Sequence, residues 1–327
     1  MQTHSIKTAG LTQQVLEHGP QTGPLVLFIH GFPELGISWS AQVWAAGDAG
    51  YRAVAPDMRG YGGTDKPVLT EDHTILHLVG DMVDLVRALG HEGCVVVGHD
   101  WGAPVAWHCA LMRPDMFKAV IGLSVPFQPR RASGPPIPTM AAMSGRPGPD
   151  GQPLGDLYIL RLQAPDAHLE WDGDVEAALR RAFYGYDGAT PADRKGRGFL
   201  PPGQSMLQSV PDDATLPPWM PRDHFDAYVA AFAAGGFKGP IDWYRCMDAN
   251  WSLTAWLQGR TIDQPSLFMV GELDPVRQYV GQHEAGLKDW LTDLRGQVVV
   301  SGAGHWLQQE RADTVNAALL GFLAEVS

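Results

Sequence analysis

Three side chains in this sequence stand where apolar runs stop, and their types suit covalent chemistry. Asp100 follows Cys94-Val95-Val96-Val97 and sits between two glycines in Gly98-His99-Asp100-Trp101-Gly102. Asp274 follows the run Ser266 to Gly271, and His305 follows the run Gln297 to Ser301 and then Gly302-Ala303-Gly304. In a G-x-S-x-G elbow a serine occupies the tip of a strand-to-helix bend; here the tip is a carboxylate. A hydroxyl that displaces a leaving group from an sp³ carbon ends as an ether, which water cleaves poorly. A carboxylate ends as an ester, whose carbonyl a second, water-borne step can attack. The pattern fits substitution at carbon by Asp100, then hydrolysis by water that His305 deprotonates. Asp274 orients the imidazole and stabilises its charged form. A solvated surface charge is the plain alternative for any one of these residues. Glycines flanking Asp100, and Gly302 and Gly304 before His305, argue against it. Glu272 is a second carboxylate near Asp274. The run ending at Ser124 continues as Val125-Pro126-Phe127 and offers no competing acid.

Such residues need rigid elements behind them. From Leu25 to about Pro126, short apolar runs (Leu25–Ile29, Ala53–Ala55, Cys94–Val97, Ala119–Ser124) alternate with helical patterns. Ile75–Leu89 is one, carrying Leu78, Met82, Val83, Val86 and Leu89 on one face with Gly90 as its stop. The alternation resumes at Ser266–Val270, Gln297–Ser301 and the closing helix Ala312–Val326. Buried strands alternating with amphipathic helices predict an α/β fold with a mostly parallel, doubly wound sheet. Reactive groups then gather outside the carboxyl ends of the strands.

The middle of the chain differs. Residues 128–157 and 185–223 are rich in Pro and Gly, and helical patches lie at Asp156–Leu162, Val175–Phe183 and His224–Ala234. Loops this long are usually functional or disordered. The economical division is a core of residues 1–127 and 248–327 carrying an inserted helical cap of residues 128–247.

The whole chain bounds the alternatives. Its 327 residues are 45% hydrophobic and 18% charged, with a net charge of −12, which disfavours nucleic-acid binding. Three cysteines, Cys94, Cys109 and Cys246, make no disulfide framework and suit a reducing compartment. The opening MQTHSIKTAGLTQQ lacks the pattern of a signal peptide, and no apolar run reaches the ~18 residues of a membrane span. A soluble, cytoplasmic protein is expected, monomer or homodimer. The histidines show no H-E-x-x-H spacing and the cysteines no Cys-x-x-Cys, so no metal is expected, and no cofactor.

Five short motifs, in order and each ending an expected strand, carry a resemblance. They are His30-Gly31-Phe32-Pro33-Glu34, Arg59-Gly60-Tyr61-Gly62, the Asp100 elbow, Gly271-Glu272-Leu273-Asp274 and Gly304-His305-Trp306. Over residues 30 to 310 the chain resembles an α/β-hydrolase, and most closely the epoxide hydrolases. The resemblance implies a small epoxide and water as substrates, Asp100 as nucleophile, and the chain order Asp100, Asp274, His305 for the triad. It also implies an oxyanion hole from the backbone N–H groups of Phe32 and Trp101, and a cis Phe32–Pro33 bond. An epoxide oxygen leaving as an alkoxide needs a donor, and the family supplies two cap tyrosines. They carry over to Tyr244, in Gly236-Phe237-Lys238-Gly239-Pro240-Ile241-Asp242-Trp243-Tyr244-Arg245, and to Tyr158, ahead of Gln163-Ala164-Pro165. The chain departs from the family with Ala164 and Asp166 in the latter element, and with the extra loop 185–223. On the residues alone, Tyr158 is an aromatic on an amphipathic helix and the Asp242–Arg245 stretch packs in a core.

Phe32, Trp101, Phe127, Phe237 and Trp306 are candidates for an apolar pocket wall, with core packing as the alternative for each. Haloalkane dehalogenases share the Asp nucleophile and the following Trp, but usually place a halide donor where Phe32 stands. Fluoroacetate dehalogenases carry arginine after the nucleophile, where this chain has Trp101. A dehalogenase is the second reading. A catalytically silent binding protein of the same fold is the third, and it does not explain an intact triad with both tyrosines.

Overall fold

A computed structural model of the chain describes residues 1–147 and 153–326; residues 148–152, in the first Pro/Gly-rich stretch, lie outside the described residues. Its strands are β1 (Gln2–Lys7), β2 (Thr12–His18), β3 (Leu25–Ile29), β4 (Arg52–Pro56), β5 (Cys94–His99), β6 (Phe117–Leu123), β7 (Asp156–Leu157), β8 (Phe199–Leu200), β9 (Ser266–Gly271) and β10 (Leu294–Val300). Eight form one sheet in the order β1-β2-β4-β3-β5-β6-β9-β10, while β7 and β8 pair separately as a short antiparallel ribbon. From β4 to β10 every pairing is parallel; β2 runs against both of its neighbours.

The central strands are buried on both faces, which is why they read as unbroken apolar runs rather than alternating ones. In β3, Leu25, Leu27 and Ile29 join one core with the helices Ile75–Ala88 and Gly102–Met112. Val26 and Phe28 point the other way, into a second core closed by Ser40–Asp48 and Ala312–Val326. The fold is the expected doubly wound α/β sheet.

β1 and β2 were not expected. They lie at the antiparallel edge, β1 is almost wholly exposed, and both are made largely of polar residues. A strand with little to bury carries little hydrophobic pattern.

Between β6 and β9 the chain leaves the sheet and forms a helical insertion. Its longer helices are Val175–Gly185, Arg222–Gly235 and Lys238–Arg245. Its aromatic residues Trp171, Phe183, Phe225, Tyr228 and Trp243 are buried in the same core that lies under the elbow. The last helix is pinned to the sheet side by charge and hydrogen bonds. Fully buried Asp242 accepts from Lys238, Arg245 and Thr70, and Trp243 Nε1 donates to the Arg59 carbonyl at 3.2 Å. No helix among the described residues is long and apolar enough to cross a membrane.

Candidate active site

The elbow explains its own glycines. Asp100 is held at φ 50°, in the left-handed region that residues with a Cβ rarely adopt. A Cβ on Gly98 would meet the Gly102 carbonyl oxygen at 2.1 Å, and one on Gly102 would meet the Ile29 carbonyl oxygen at 2.1 Å. Bare backbone at both positions lets the helix starting at Gly102 press onto β5 and β3. The residue at the bend is thereby lifted to the carboxyl end of the sheet. Phe32-Pro33, in the loop after β3, is the cis bond expected there.

The two oxygens of the buried Asp100 carboxylate have different surroundings. Oδ1 accepts the Phe32 N–H at 2.9 Å, whereas Oδ2 faces His305 Nε2 at 3.5 Å. The Trp101 N–H makes no hydrogen bond to this carboxylate among the described residues; Trp101 opens the helix with αR dihedrals, so its N–H is one of the uncapped donors there. His305 Nδ1 lies 3.2 and 3.3 Å from the two oxygens of Asp274. Asp274 is held in turn by Ser124 Oγ at 2.6 Å and the Val276 N–H at 2.9 Å. Ser124, at φ 67° just beyond β6, also comes within 3.1 Å of His305 Nδ1. Sequence reasoning passed over Ser124 by looking for an acid there; a small hydroxyl residue ending a buried strand was the available signal.

Charge in this site is set by competition. Burial disfavours ionised Asp100 and Asp274, yet hydrogen bonds and charge from His305 hold both carboxyls below their ordinary values. Burial would lower His305, but Asp274 and Asp100 together raise it well above the usual imidazole range. The two carboxylates thus favour the charged form of the imidazole between them. Below it, His99 Nδ1 lies 2.7 Å from Glu34 Oε2 and Nε2 lies 2.8 Å from the His305 carbonyl oxygen. Glu34 is fully buried and also accepts the Gly31 N–H (3.0 Å) and Gln308 Nε2 (2.8 Å), tying the loop after β3 to the His305 loop.

Tyr244, from the pinned helix, stands edge-on to Phe32 (5.5 Å between centroids), Trp101 (5.2 Å) and Tyr158 (6.1 Å). Gln163 Nε2 donates to the carbonyls of both Ile159 and Tyr244, joining the two segments that carry the tyrosines. Burial, then the charge of Asp100 and the neighbouring phenol, pushes both hydroxyls above the ordinary tyrosine range, so they remain protonated donors.

One cavity brings Asp100, His305, Tyr158, Tyr244, Phe32 and Trp306 together, along with Tyr186, Met206, Val276 and Tyr279, which the sequence did not single out. Its free volume is about 30 Å³, room for one or two waters.

Three expected wall residues lie elsewhere. Phe127 packs on Trp107 and Trp290 behind the helix Gly102–Met112. Phe237 is fully buried, stacked on Phe232 at 4.3 Å, a layer behind Phe32. Both belong to the core, because the large aromatics of the insertion must themselves be covered. Trp101 backs Tyr244 and Trp243 rather than lining the cavity.

Comparison with known proteins bears on the family and the fold. The sequence profile of the alpha/beta hydrolase fold matches residues 24–312. Epoxide hydrolase A of Mycobacterium tuberculosis is 40% identical over 321 residues, covering 97% of this chain and 96% of the relative. The crystal structure of epoxide hydrolase A from Mycobacterium thermoresistibile superposes with a TM-score of 0.89 at 40% identity, covering 100% of this chain and 99% of that one. An epoxide hydrolase structure from an endophytic Streptomyces gives 0.90 at 38% identity, covering 99% and 95%.

Proposed function

The chain belongs to the α/β-hydrolase fold family and, within it, to the epoxide hydrolases, and on that premise we propose how its own residues convert an epoxide to a vicinal diol. The observation that carries the scheme is the unequal treatment of the Asp100 oxygens. Oδ1 is fixed by the Phe32 amide, while Oδ2 has no backbone donor among the described residues and is free to attack. Oδ2 forms a bond to a ring carbon as the ring C–O bond breaks, and the departing oxygen takes a proton from Tyr158 or Tyr244. The product is a hydroxyalkyl ester of Asp100.

Esterification removes one of the two negative charges that hold the proton on His305. Burial then weighs more heavily, the imidazolium releases its proton to restore the phenol, and neutral His305 becomes a base. It takes a proton from water as the water oxygen attacks Cγ of Asp100. The charge that develops on Oδ1 falls on the Phe32 N–H, with the Trp101 N–H as the second donor. Collapse expels the diol, whose second hydroxyl keeps the former Oδ2, and returns Asp100 as a carboxylate beside a protonated His305. Atoms and protons balance with no cofactor.

We propose residues 128–247 as the cap that carries both tyrosines and closes the cavity. The three cysteines are free and buried, in keeping with the cytoplasm, which we propose as its compartment. A panel of styrene oxide, an aliphatic epoxide, 1-bromobutane and fluoroacetate tests the scheme. Diol should form from the epoxides alone; halide release from either haloacid or haloalkane at a comparable rate would favour the dehalogenase reading.

A further inference from the structure

Beyond the two donor tyrosines, the cavity holds two phenols to which the scheme above gives no task. Tyr186 is only 7% exposed and lines the cavity, and its hydroxyl has no hydrogen-bond partner among the described residues. Tyr279 lines the same cavity, and its buried hydroxyl likewise makes no well-formed hydrogen bond. A buried, unpaired hydroxyl costs stability unless something fills its place. Tyr186 lies against the His305 ring at 6.0 Å, and its own carbonyl accepts the His305 N–H at 2.9 Å. It is therefore held firmly on the side of the cavity nearest the base.

The loop 185–223 is shaped around these two rings. A Cβ on Gly196 would meet Tyr186 Cε2 at 2.8 Å, and one on Gly198 would meet the Tyr279 hydroxyl oxygen at 1.7 Å. In Lys195-Gly196-Arg197-Gly198 both glycines are absent side chains that two phenols require. The Gly198 carbonyl also accepts the Tyr158 N–H at 2.8 Å, so one strand of loop positions three tyrosines. Burial, with Tyr279 beside Tyr186 and Asp274 beside Tyr279, pushes both hydroxyls above the ordinary tyrosine range, which keeps them protonated.

We propose that Tyr186, with Tyr279 beside it, is a polar subsite that donates a hydrogen bond to an oxygen substituent of the epoxide, so that the enzyme prefers oxygenated epoxides over plain alkyl or aryl ones. The proposal rests on the epoxide hydrolase reading and narrows it to a substrate class.

The test uses two epoxides of matching length, ethyl glycidyl ether and 1,2-epoxyhexane, which differ by one ether oxygen for a methylene. The readout is the ratio of their kcat/KM values, which is independent of the folded fraction of each preparation. In the Tyr186→Phe enzyme this ratio should fall about tenfold from its wild-type value, the worth of one neutral hydrogen bond, and Tyr279→Phe should lower it in the same direction. An unchanged ratio, including an equal loss on both substrates, overturns the subsite and leaves the hydrolase reading intact. If the wild-type enzyme turns over neither compound nor styrene oxide, it is the hydrolase reading that fails.

Discussion

The carboxyl edge of the sheet and the loop 185–223 both present side chains to one cavity, and they hold them differently. At the sheet edge, Asp100, Ser124 and Asp274 each follow a buried strand within three residues, and His305 stands on a five-residue turn after β10. Backbone hydrogen bonding fixes the strands, so position along the sequence nearly determines position in space. In the loop, Tyr186 is placed by Gly196, by the His305 backbone and by nothing that a short motif encodes. Chemistry sits on the first kind of scaffold and, on the present account, substrate preference on the second.

The comparison breaks if sheet-edge variants behave like loop variants. Asp100→Ala should lower kcat on every epoxide by at least about 10⁴-fold while the protein stays folded, because no other group can form the ester. Residual turnover within tenfold of wild type would remove Asp100 from the role of nucleophile. His305→Gln should still alkylate, then stall. Steady-state turnover should drop about 10³-fold, and the intact protein's mass should rise by that of one epoxide; normal turnover, or no adduct, contradicts the base assignment.

Those two residues were legible for a physical reason. A carboxylate between glycines after four apolar residues has little to do in a core, and Gly98 and Gly102 prove to be required by contacts of 2.1 Å. The five strands β3, β4, β5, β6 and β9 were legible because burial on both faces leaves unbroken apolar runs. β1 and β2 were not, since QTHSIK and TQQVLEH have little to bury. Phe127 and Phe237 were misplaced because an aromatic residue near a motif looks the same whether it faces substrate or another ring. Tyr186 and Tyr279 were missed because a ring's partner glycine can lie 10 residues away, as Gly196 does, or about 80 away, as Gly198 does, and only folding brings them together.

The two donor tyrosines lie between these extremes, on helices of the insertion. Tyr158→Phe and Tyr244→Phe should each slow pre-steady-state ester formation on the order of 10²-fold, the usual loss for one donor to a developing oxyanion, and leave ester hydrolysis nearly unchanged. Loss of both phases alike would make the tyrosines structural.

A smaller effect sharpens how the loop is fastened. Glu310 accepts N–H groups from Gly188 in the insertion and from Gly304 and Trp306 beside the base. Burial, with Asp187 as neighbour, pushes its carboxyl up from 4.5 to about 7. The folded protein binds this proton more tightly than the unfolded chain does. Stability should therefore decline as pH rises through 4.5 and level off above about 7, by roughly 3 kcal/mol in all. Asp187→Asn should flatten the decline in denaturant titrations; an identical slope would exclude the pair as its source.

The central claim is that the added oxygen of the diol comes from Asp100. Single turnover with enzyme in excess, in water enriched in oxygen-18, measures this directly. The account predicts an unlabelled diol and one heavy oxygen in the peptide that contains Asp100. A diol labelled in the first turnover, with that peptide unchanged, would mean that water attacks the epoxide itself and that no ester forms.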